Sequence, residues 1–146
     1  MARTPGRRPR VRAGVLVRYR VFGGPAGIDQ RLTVFEDGAV ELDERHRSRH
    51  PIWVRMDATE LEGLRAALEE LPPTRWSHPA KAALATAWRH LLPDLLGGAT
   101  RANRAGMELR RGGRVILGAE AGDEELAAVV GPLDAMRVRA VRAEPR

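Results

Sequence analysis

A run of alternating side chains that is interrupted by glycines, between Val15 and Glu36, constrains the fold of this chain more than any other stretch. Its first part, Val15 to Phe22, alternates with a period of two, which is typical of a strand buried mainly on one face. Gly23-Gly24-Pro25-Ala26-Gly27 follows, and it is too rich in glycine to continue a strand or to start a helix. Residues 28–36 then predict a returning strand. The chain therefore begins with two antiparallel strands joined by a glycine bend.

Two further strands are predicted directly after this pair. Asp37-Gly38 is a strong signal for a tight hairpin turn. Ala39 to Asp43 alternates again, and after a charged segment Ile52 to Met56 resumes the same pattern. This alternation places Trp53 and Arg55 on the outer face, where Arg55 is expected to face the carboxylates of the neighbouring strand. Four consecutive strands of one antiparallel sheet follow from these patterns.

Two helical stretches are predicted after the fourth strand. Asp57 is expected to cap a helix that ends at Leu71, because Pro72-Pro73 cannot continue it. Its leucines recur at helical spacing, so this helix is expected to pack on the sheet. A second stretch, from about Pro79 to Leu92, carries alanines and a further apolar stripe.

The remainder of the chain predicts a second hairpin and a last helix. Arg111-Gly112-Gly113 is a turn signal between two short apolar runs. Asp123 begins a helix with an acidic first turn, and Gly131-Pro132 is expected to kink or restart it. We therefore predict an α+β fold in the order β-β-β-β-α-α-β-β-α, with an antiparallel sheet of about six strands and helices mainly on one face.

The net charge of +6 is concentrated at the two ends of the chain. Residues 1–12 contain five arginines and no acidic residue, and they are predicted to form a disordered basic arm. Residues 137–146, with four arginines and one glutamate, are predicted to form a basic C-terminal tail. We expect a single domain over residues 13–136 that has little net charge and contains a helical insertion at about 76–98.

The sequence contains no recognisable catalytic or metal-binding pattern. It has no cysteine, which excludes disulfides, thiolate metal sites and a cysteine nucleophile. The glycine bend has neither the spacing of a dinucleotide fingerprint nor a helix after it, and there is no G-x-x-x-x-G-K phosphate loop. Neither of the two serines lies in a nucleophile elbow, and the four histidines do not share a helical face. We expect a binding protein rather than an enzyme, with no cofactor and no metal.

Trp53 and Arg55 are candidate partner-binding residues. Both are predicted to lie on the sheet face away from the first helix, and tryptophan beside arginine is a common interface composition. Trp53 then either anchors a partner or is covered by the helical insertion that carries Trp76 and Trp88. Both alternatives are open from the sequence.

Several short motifs carry a resemblance to a known family. They are Val17-Arg18-Tyr19 with the bend at 23–27, the helical leucines Leu61, Leu64 and Leu68, and Leu126 with Gly131-Pro132-Leu133. With the order of the elements, they resemble the emfourin family of small bacterial proteins, whose founding member inhibits a thermolysin-like metalloprotease. The likeness covers about residues 15–71 and 105–136, and it leaves out the insertion and both basic tails. It implies a protease inhibitor that acts by blocking the cleft of a thermolysin-like (M4-type) enzyme.

The glycine bend gives such an inhibitor a physical basis. Glycines allow close backbone approach, and the proline among them stiffens the loop, which lowers the entropy lost on entering a cleft. The candidate contact residues are Gly23, Gly24, Pro25, Ala26 and Gly27. The alternative is that these residues only form a wide turn between two strands.

Two other functions remain open from the sequence. The arginine-rich ends fit a nucleic-acid-associated module, whose binding would depend steeply on salt. The face around Trp53 fits an interaction subunit of a larger bacterial assembly. No apolar run approaches a membrane span or the core of a signal peptide, so we expect a cytoplasmic protein without a membrane partner.

Overall fold

A six-stranded antiparallel sheet with helices against one face forms the structure. It is a computed structural model that describes residues 14–23, 27–45, 50–81, 84, 106–117 and 124–143. The predicted α+β class and the succession of strands are confirmed. The elements are β1 (Val15–Gly23), β2 (Ile28–Phe35), β3 (Ala39–Glu44), β4 (Ile52–Arg55), α1 (Ala58–Glu70), β5 (Gly106–Arg111), β6 (Arg114–Leu117) and α2 (Glu124–Ala143).

The strand β1 lies inside the sheet, whose order is β4-β3-β2-β1-β5-β6. Strands β1 to β4 form the predicted meander. The other edge of β1 pairs with β5, from Arg18 opposite Arg110 to Phe22 opposite Gly106. The hairpin of β5 and β6 therefore completes the sheet on the edge that the meander leaves open.

Both predicted tight hairpins are present, and glycines with positive φ form their turns. Between β2 and β3, Gly38 has a φ of 86°, and the backbone N–H of Ala39 donates to the Asp37 carboxylate at 3.0 Å. Between β5 and β6, Gly112 and Gly113 have φ values of 55° and 78°. Two consecutive residues with positive φ suit the right-handed twist of the strands they connect.

The strand register collects the apolar side chains on one face of the sheet, the helix face. Tyr19 lies beside Leu32 and Leu109 in one row, and Val17 lies beside Val34 in the next. A bulge between Val15 and Val17 shifts the alternation at the start of β1, so Leu16 is buried as well as its neighbour Val17. The fully buried members on this face include Val17, Leu32, Val34, Val40, Leu42 and Leu109.

Helix α1 begins and packs as its sequence predicts. The carboxylate of Asp57 accepts a hydrogen bond from the backbone N–H of Glu60 at 2.7 Å, which satisfies one of the free donors of the first turn. Leu64 and Leu68 are completely buried against the sheet. Each such leucine contributes roughly 1.5–3 kcal/mol through the apolar surface that it removes from water.

Helix α2 runs from Glu124 to Ala143 with Pro132 inside it, so the predicted restart at Gly131-Pro132 does not occur. The helix continues because its buried face continues on both sides of the proline. Gly131 and Pro132 are exposed and lie on the opposite, solvent side. The buried residues are Leu126, Val129, Leu133, Met136 and Ala140.

The predicted domain boundary at residue 136 is wrong, because residues 137–143 are part of α2. Ala140 is fully buried in the core. The Arg137 guanidinium donates to the Gln30 side chain at 2.6 Å and to Asp134 at 2.8 Å, and Arg139 forms a bidentate pair with Glu60. Arg137 thus links the helix to β2 and Arg139 links it to α1, so neither belongs to a free tail. Residues 144–146 and the predicted arm at 1–12 lie outside the described residues.

The segment after α1 extends the sheet by one short bridge. A 3-10 turn, Pro73–Arg75, leads to Ser77, whose backbone N–H and C=O bond to Val115 at 2.8 and 2.9 Å. Trp76 packs against the core cluster beside the sheet. Residues 79–81 and 84 are helical, and the rest of the predicted insertion at 76–98 lies outside the described residues.

We expect Arg137→Met to lower the free energy of unfolding by about 1–3 kcal/mol, because it leaves the Gln30 oxygen without its donor. Urea denaturation followed by circular dichroism measures this change. The matched control is Arg142→Met, an exposed arginine of the same helix, which should change stability by less than about 0.5 kcal/mol. Equal effects of the two substitutions would contradict the assignment of Arg137 to the fold.

Candidate protein-binding site

The glycine bend lies at one end of the sheet, between its two central strands. Gly23 ends β1 and Ile28 begins β2 directly opposite it. Gly23 and Gly27, the described glycines at the two sides of the bend, have φ values of 88° and 61°, a region that only glycine adopts easily. Gly24, Pro25 and Ala26 lie outside the described residues. Because β1 and β2 are both paired on two edges, the sheet holds the two ends of the bend in place.

An ion pair between the two strands stiffens this end of the hairpin. The Arg20 guanidinium donates two hydrogen bonds to the Asp29 carboxylate, from Nε at 2.9 Å and from a terminal nitrogen at 3.1 Å. The same guanidinium lies 4.9 Å from the centre of the Phe22 ring, within reach of a cation–π interaction. Bidentate geometry fixes both side chains more firmly than a single contact would.

The Arg20 pair also controls the ionisation of Asp29. Hydrogen bonds from Arg20 lower the pKa of Asp29 below its ordinary value; partial burial opposes this shift, and the charges of Arg20, Arg31 and Arg45 reinforce it. The same contacts raise the pKa of Arg20. Asp29 is therefore a permanent anion at neutral pH.

An apolar surface is exposed beside the bend. Ile28 leaves 43% of its surface in water, although it begins a central strand. Phe22 is half-buried and covers Gly106 on the neighbouring strand, where an added Cβ would lie 2.8 Å from the ring. At the end of the sheet that carries the bend, one isoleucine is therefore exposed next to the packed pair of Phe22 and Gly106.

Trp53 and Arg55 lie elsewhere on the molecule. Trp53 is half-buried on the face opposite the helices, where its ring stacks on Phe35 with centroids 5.9 Å apart. Arg55 is exposed, and its guanidinium donates to the Asp37 carbonyl at 3.0 Å. Its cross-strand neighbour is Ala39 and not an acidic residue, because the register places Trp53 opposite Glu41. The prediction that Arg55 faces a carboxylate on the neighbouring strand is therefore wrong.

The candidate residues form two separate sites. Trp53 is level with Thr33, five residues along β2 from Ile28, which corresponds to about 17 Å of extended strand. One alternative was that Trp53 is covered by the segment that carries Trp76. Trp76 does not cover it, because Trp76 packs against the core cluster on the helix face, and Trp53 lies on the opposite face. Trp88 lies outside the described residues.

A buried polar chain connects the sheet to α2, and the sequence analysis did not find it. The Gln30 amide donates to Glu44 at 2.6 Å and accepts from Arg137 at 2.6 Å. The second carboxylate oxygen of Glu44 is buried and has no hydrogen-bond partner among the residues that the structure describes. Burial raises the pKa of the neighbouring Tyr19, and the negative charge of Asp134 raises it further. The sequence did contain a signal for this chain. Gln30 and Glu44 are polar, but the alternation of their strands places them on the buried face.

Within the ranges that the structure describes, no group of histidine and acidic side chains is arranged to hold a metal ion. In the same ranges no helix has the length and apolar character needed to cross a membrane.

No known protein family, no curated protein and no solved structure matches this chain.

We expect Asp29→Asn to lower the free energy of unfolding by about 1 kcal/mol at pH 7. The folded-state pKa of Asp29 lies below the ordinary value of about 3.9, so its ion pair stabilises the fold above pH ~4. That contribution is lost as the pH falls through the folded-state pKa. Urea denaturation at pH 7 and pH 3 should therefore show a difference between wild type and variant that shrinks at pH 3.

Asp43→Asn is the control for this pH dependence. Asp43 is exposed on β3 and makes no ion pair among the described residues. Its substitution should leave stability unchanged within about 0.5 kcal/mol at either pH. A pH-independent effect of Asp29→Asn would show that the ion pair with Arg20 is not what stabilises the hairpin.

Proposed function

We propose that this chain is a binding protein of the emfourin type, which inhibits a thermolysin-like metalloprotease by seating the glycine bend in the active-site cleft. The observation that carries the proposal is that the sheet holds both ends of the bend in place. It joins the two central strands, its flanking glycines have positive φ, and the Arg20–Asp29 pair braces its base. A loop whose ends are already fixed loses little conformational entropy when a groove closes around it.

The exposed isoleucine beside the bend supports the same function. Ile28 is one of the few large apolar side chains of the described residues that remain exposed. Apolar side chains fill the specificity pockets of many binding clefts, and burial of this one would contribute roughly 1.5–3 kcal/mol. The inhibitor would block access of the substrate and would take no part in a reaction. A cytoplasmic location remains a prediction from the sequence.

The nucleic-acid alternative has less support than the sequence suggested. Arg137 and Arg139, half of the arginines in the supposed C-terminal tail, are engaged with Asp134, Gln30 and Glu60. A guanidinium held in these contacts is less available to a phosphate backbone. The arginines of residues 1–12, together with Arg142 and Arg146, are the remaining basis for that function.

We expect the purified protein to reduce peptide hydrolysis by a thermolysin-family enzyme when it is added at micromolar concentration. Ile28→Asp should weaken the inhibition by about tenfold, equivalent to ~1.4 kcal/mol, since it places a charge beside the docked bend. Val138→Asp is the matched control, because Val138 is a similarly exposed apolar residue on α2, at 36%. Hydrolysis that continues at the same rate with wild-type protein would refute the proposal, and equal weakening by both variants would exclude the bend as the contact.

A further inference from the structure

Two polar side chains at the base of the glycine bend occupy positions whose neighbours on the helix face are apolar. Gln30 is the first buried residue of β2, two residues after Ile28, and Glu44 lies opposite it on β3. The next helix-face positions of the two strands, Leu32 and Leu42, also lie opposite each other and are almost completely buried. A sequence that departs from its own buried pattern at one place usually does so at a functional site, and this departure adjoins the candidate site.

The buried polar chain that contains these two residues connects the bend to α2. The Gln30 amide donates to Glu44 and accepts from Arg137, at 2.6 Å in each case. Arg137 is itself held by Asp134, one turn earlier in α2. Helix α2 is fixed in the core by completely buried side chains such as Leu133. The buried polar chain therefore attaches the first residues of β2 to a rigid element.

The buried polar chain contributes less to stability than well-packed apolar side chains would. Glu44 is 3% exposed, and one of its carboxylate oxygens accepts no hydrogen bond from any residue that the structure describes. A buried polar atom without a partner has lost its hydration without replacing it. Exchange of buried charged groups for apolar ones is often neutral or stabilising, whereas removal of one partner alone is destabilising. Stability alone therefore does not explain why these residues are polar.

We propose that Arg137 and Glu44 are positioning residues of the glycine bend, which they hold through Gln30. Hydrogen bonds are directional and apolar contacts are not, so the buried polar chain fixes the direction in which β2 leaves the core toward the bend. The Arg20–Asp29 pair acts at the same end on the opposite face of the sheet, so the base of the bend is held from both faces. This role rests on the proposed inhibition, since a bend needs a fixed position in order to fit a groove.

A triple variant, Gln30→Leu with Glu44→Leu and Arg137→Met, tests the proposal because it replaces the whole buried polar chain by apolar side chains. Its urea midpoint, followed by circular dichroism, should equal or exceed that of wild type, because no buried partner is left unpaired. Asp134, the remaining partner of Arg137, keeps 44% of its side chain in water and stays hydrated. Gln30→Leu alone should lower the midpoint, since it leaves Glu44 and Arg137 without their shared partner.

The same triple variant should lose the fixed position of the bend. We expect the backbone amides of residues 21–23 and 28–30 to exchange hydrogen at least about tenfold faster than in wild type, because the base of the bend opens locally while the rest of the sheet stays closed. Amide exchange followed by NMR on the full chain measures this change. The inhibition constant against a thermolysin-family enzyme should rise at least about tenfold, since the bend is no longer ordered before it binds.

A triple variant that does not fold, or that unfolds at less urea than wild type, would show that the buried polar chain serves stability and would overturn the proposal. Unchanged amide exchange at the bend would overturn it as well. So would inhibition by the triple variant that equals inhibition by wild type. If wild-type protein does not inhibit at all, the proposed inhibition fails by itself, and the exchange rates decide whether the buried polar chain holds the bend.

The control is the bidentate pair of Arg139 and Glu60, which joins α2 to α1 rather than to the sheet. Its apolar replacement, Glu60→Leu with Arg139→Met, should leave amide exchange at the bend and the inhibition constant unchanged. Faster exchange at the bend in this variant too would show that any lost contact of α2 loosens the sheet, which would overturn the assignment. The conservative variant Glu44→Gln keeps an oxygen that accepts from Gln30, and it should retain wild-type exchange at the bend.

Discussion

The pairing of β1 with β5 is the interaction on which the rest of the structure depends. It joins a strand near the start of the chain to one that follows more than eighty residues later. A hairpin such as β5 and β6 is marginally stable alone, and only as part of a larger sheet does it provide a surface for a helix. Through this pairing, α1 and α2 share one core with residues from both parts of the chain.

The same pairing explains why the two faces of the sheet differ. On the helix face, one row of leucine and tyrosine runs from β3 to β5, and a row of valines joins β3, β2 and β1. On the face opposite the helices, the alternate positions carry arginine and carboxylate side chains together with Trp53 and Phe35. A sheet with one apolar and one polar face is the usual outcome when all neighbouring strands are antiparallel. The helices settle on one side because only that side offers apolar surface.

Most of the fold could be predicted from local patterns. Strands β1 to β4, the turns at Gly38 and Gly112-Gly113, and the cap at Asp57 each follow from a few neighbouring residues with a defined physical role. The end of α2 could not be predicted in this way. Its last turns are dense in arginine, and they resemble a solvated tail until Gln30 and Glu60, more than seventy residues earlier in the chain, are seen to pair with them.

The candidate site was predicted only in part, for the same reason. The glycine bend is a local feature, and the sequence placed it correctly between β1 and β2. The position of Trp53 on the outer face also follows from alternation, but its stacking on Phe35 depends on the register between strands. The order in which non-consecutive strands lie side by side is absent from any local pattern. The charge pattern on the face opposite the helices depends on β5 lying next to β1, so it could not be predicted from the sequence.

The late position of β5 in the chain has a consequence for biosynthesis. When the first four strands have left the ribosome, β1 has one edge with unpaired N–H and C=O groups and an apolar face that includes Val17 and Tyr19. Such an edge is a template for association with other chains. At 5–20 residues per second, β5 and α2 follow on the order of ten seconds later. During that interval this edge and this apolar face stay uncovered in the nascent chain, and we expect slower translation to lengthen the time in which they can associate with other chains.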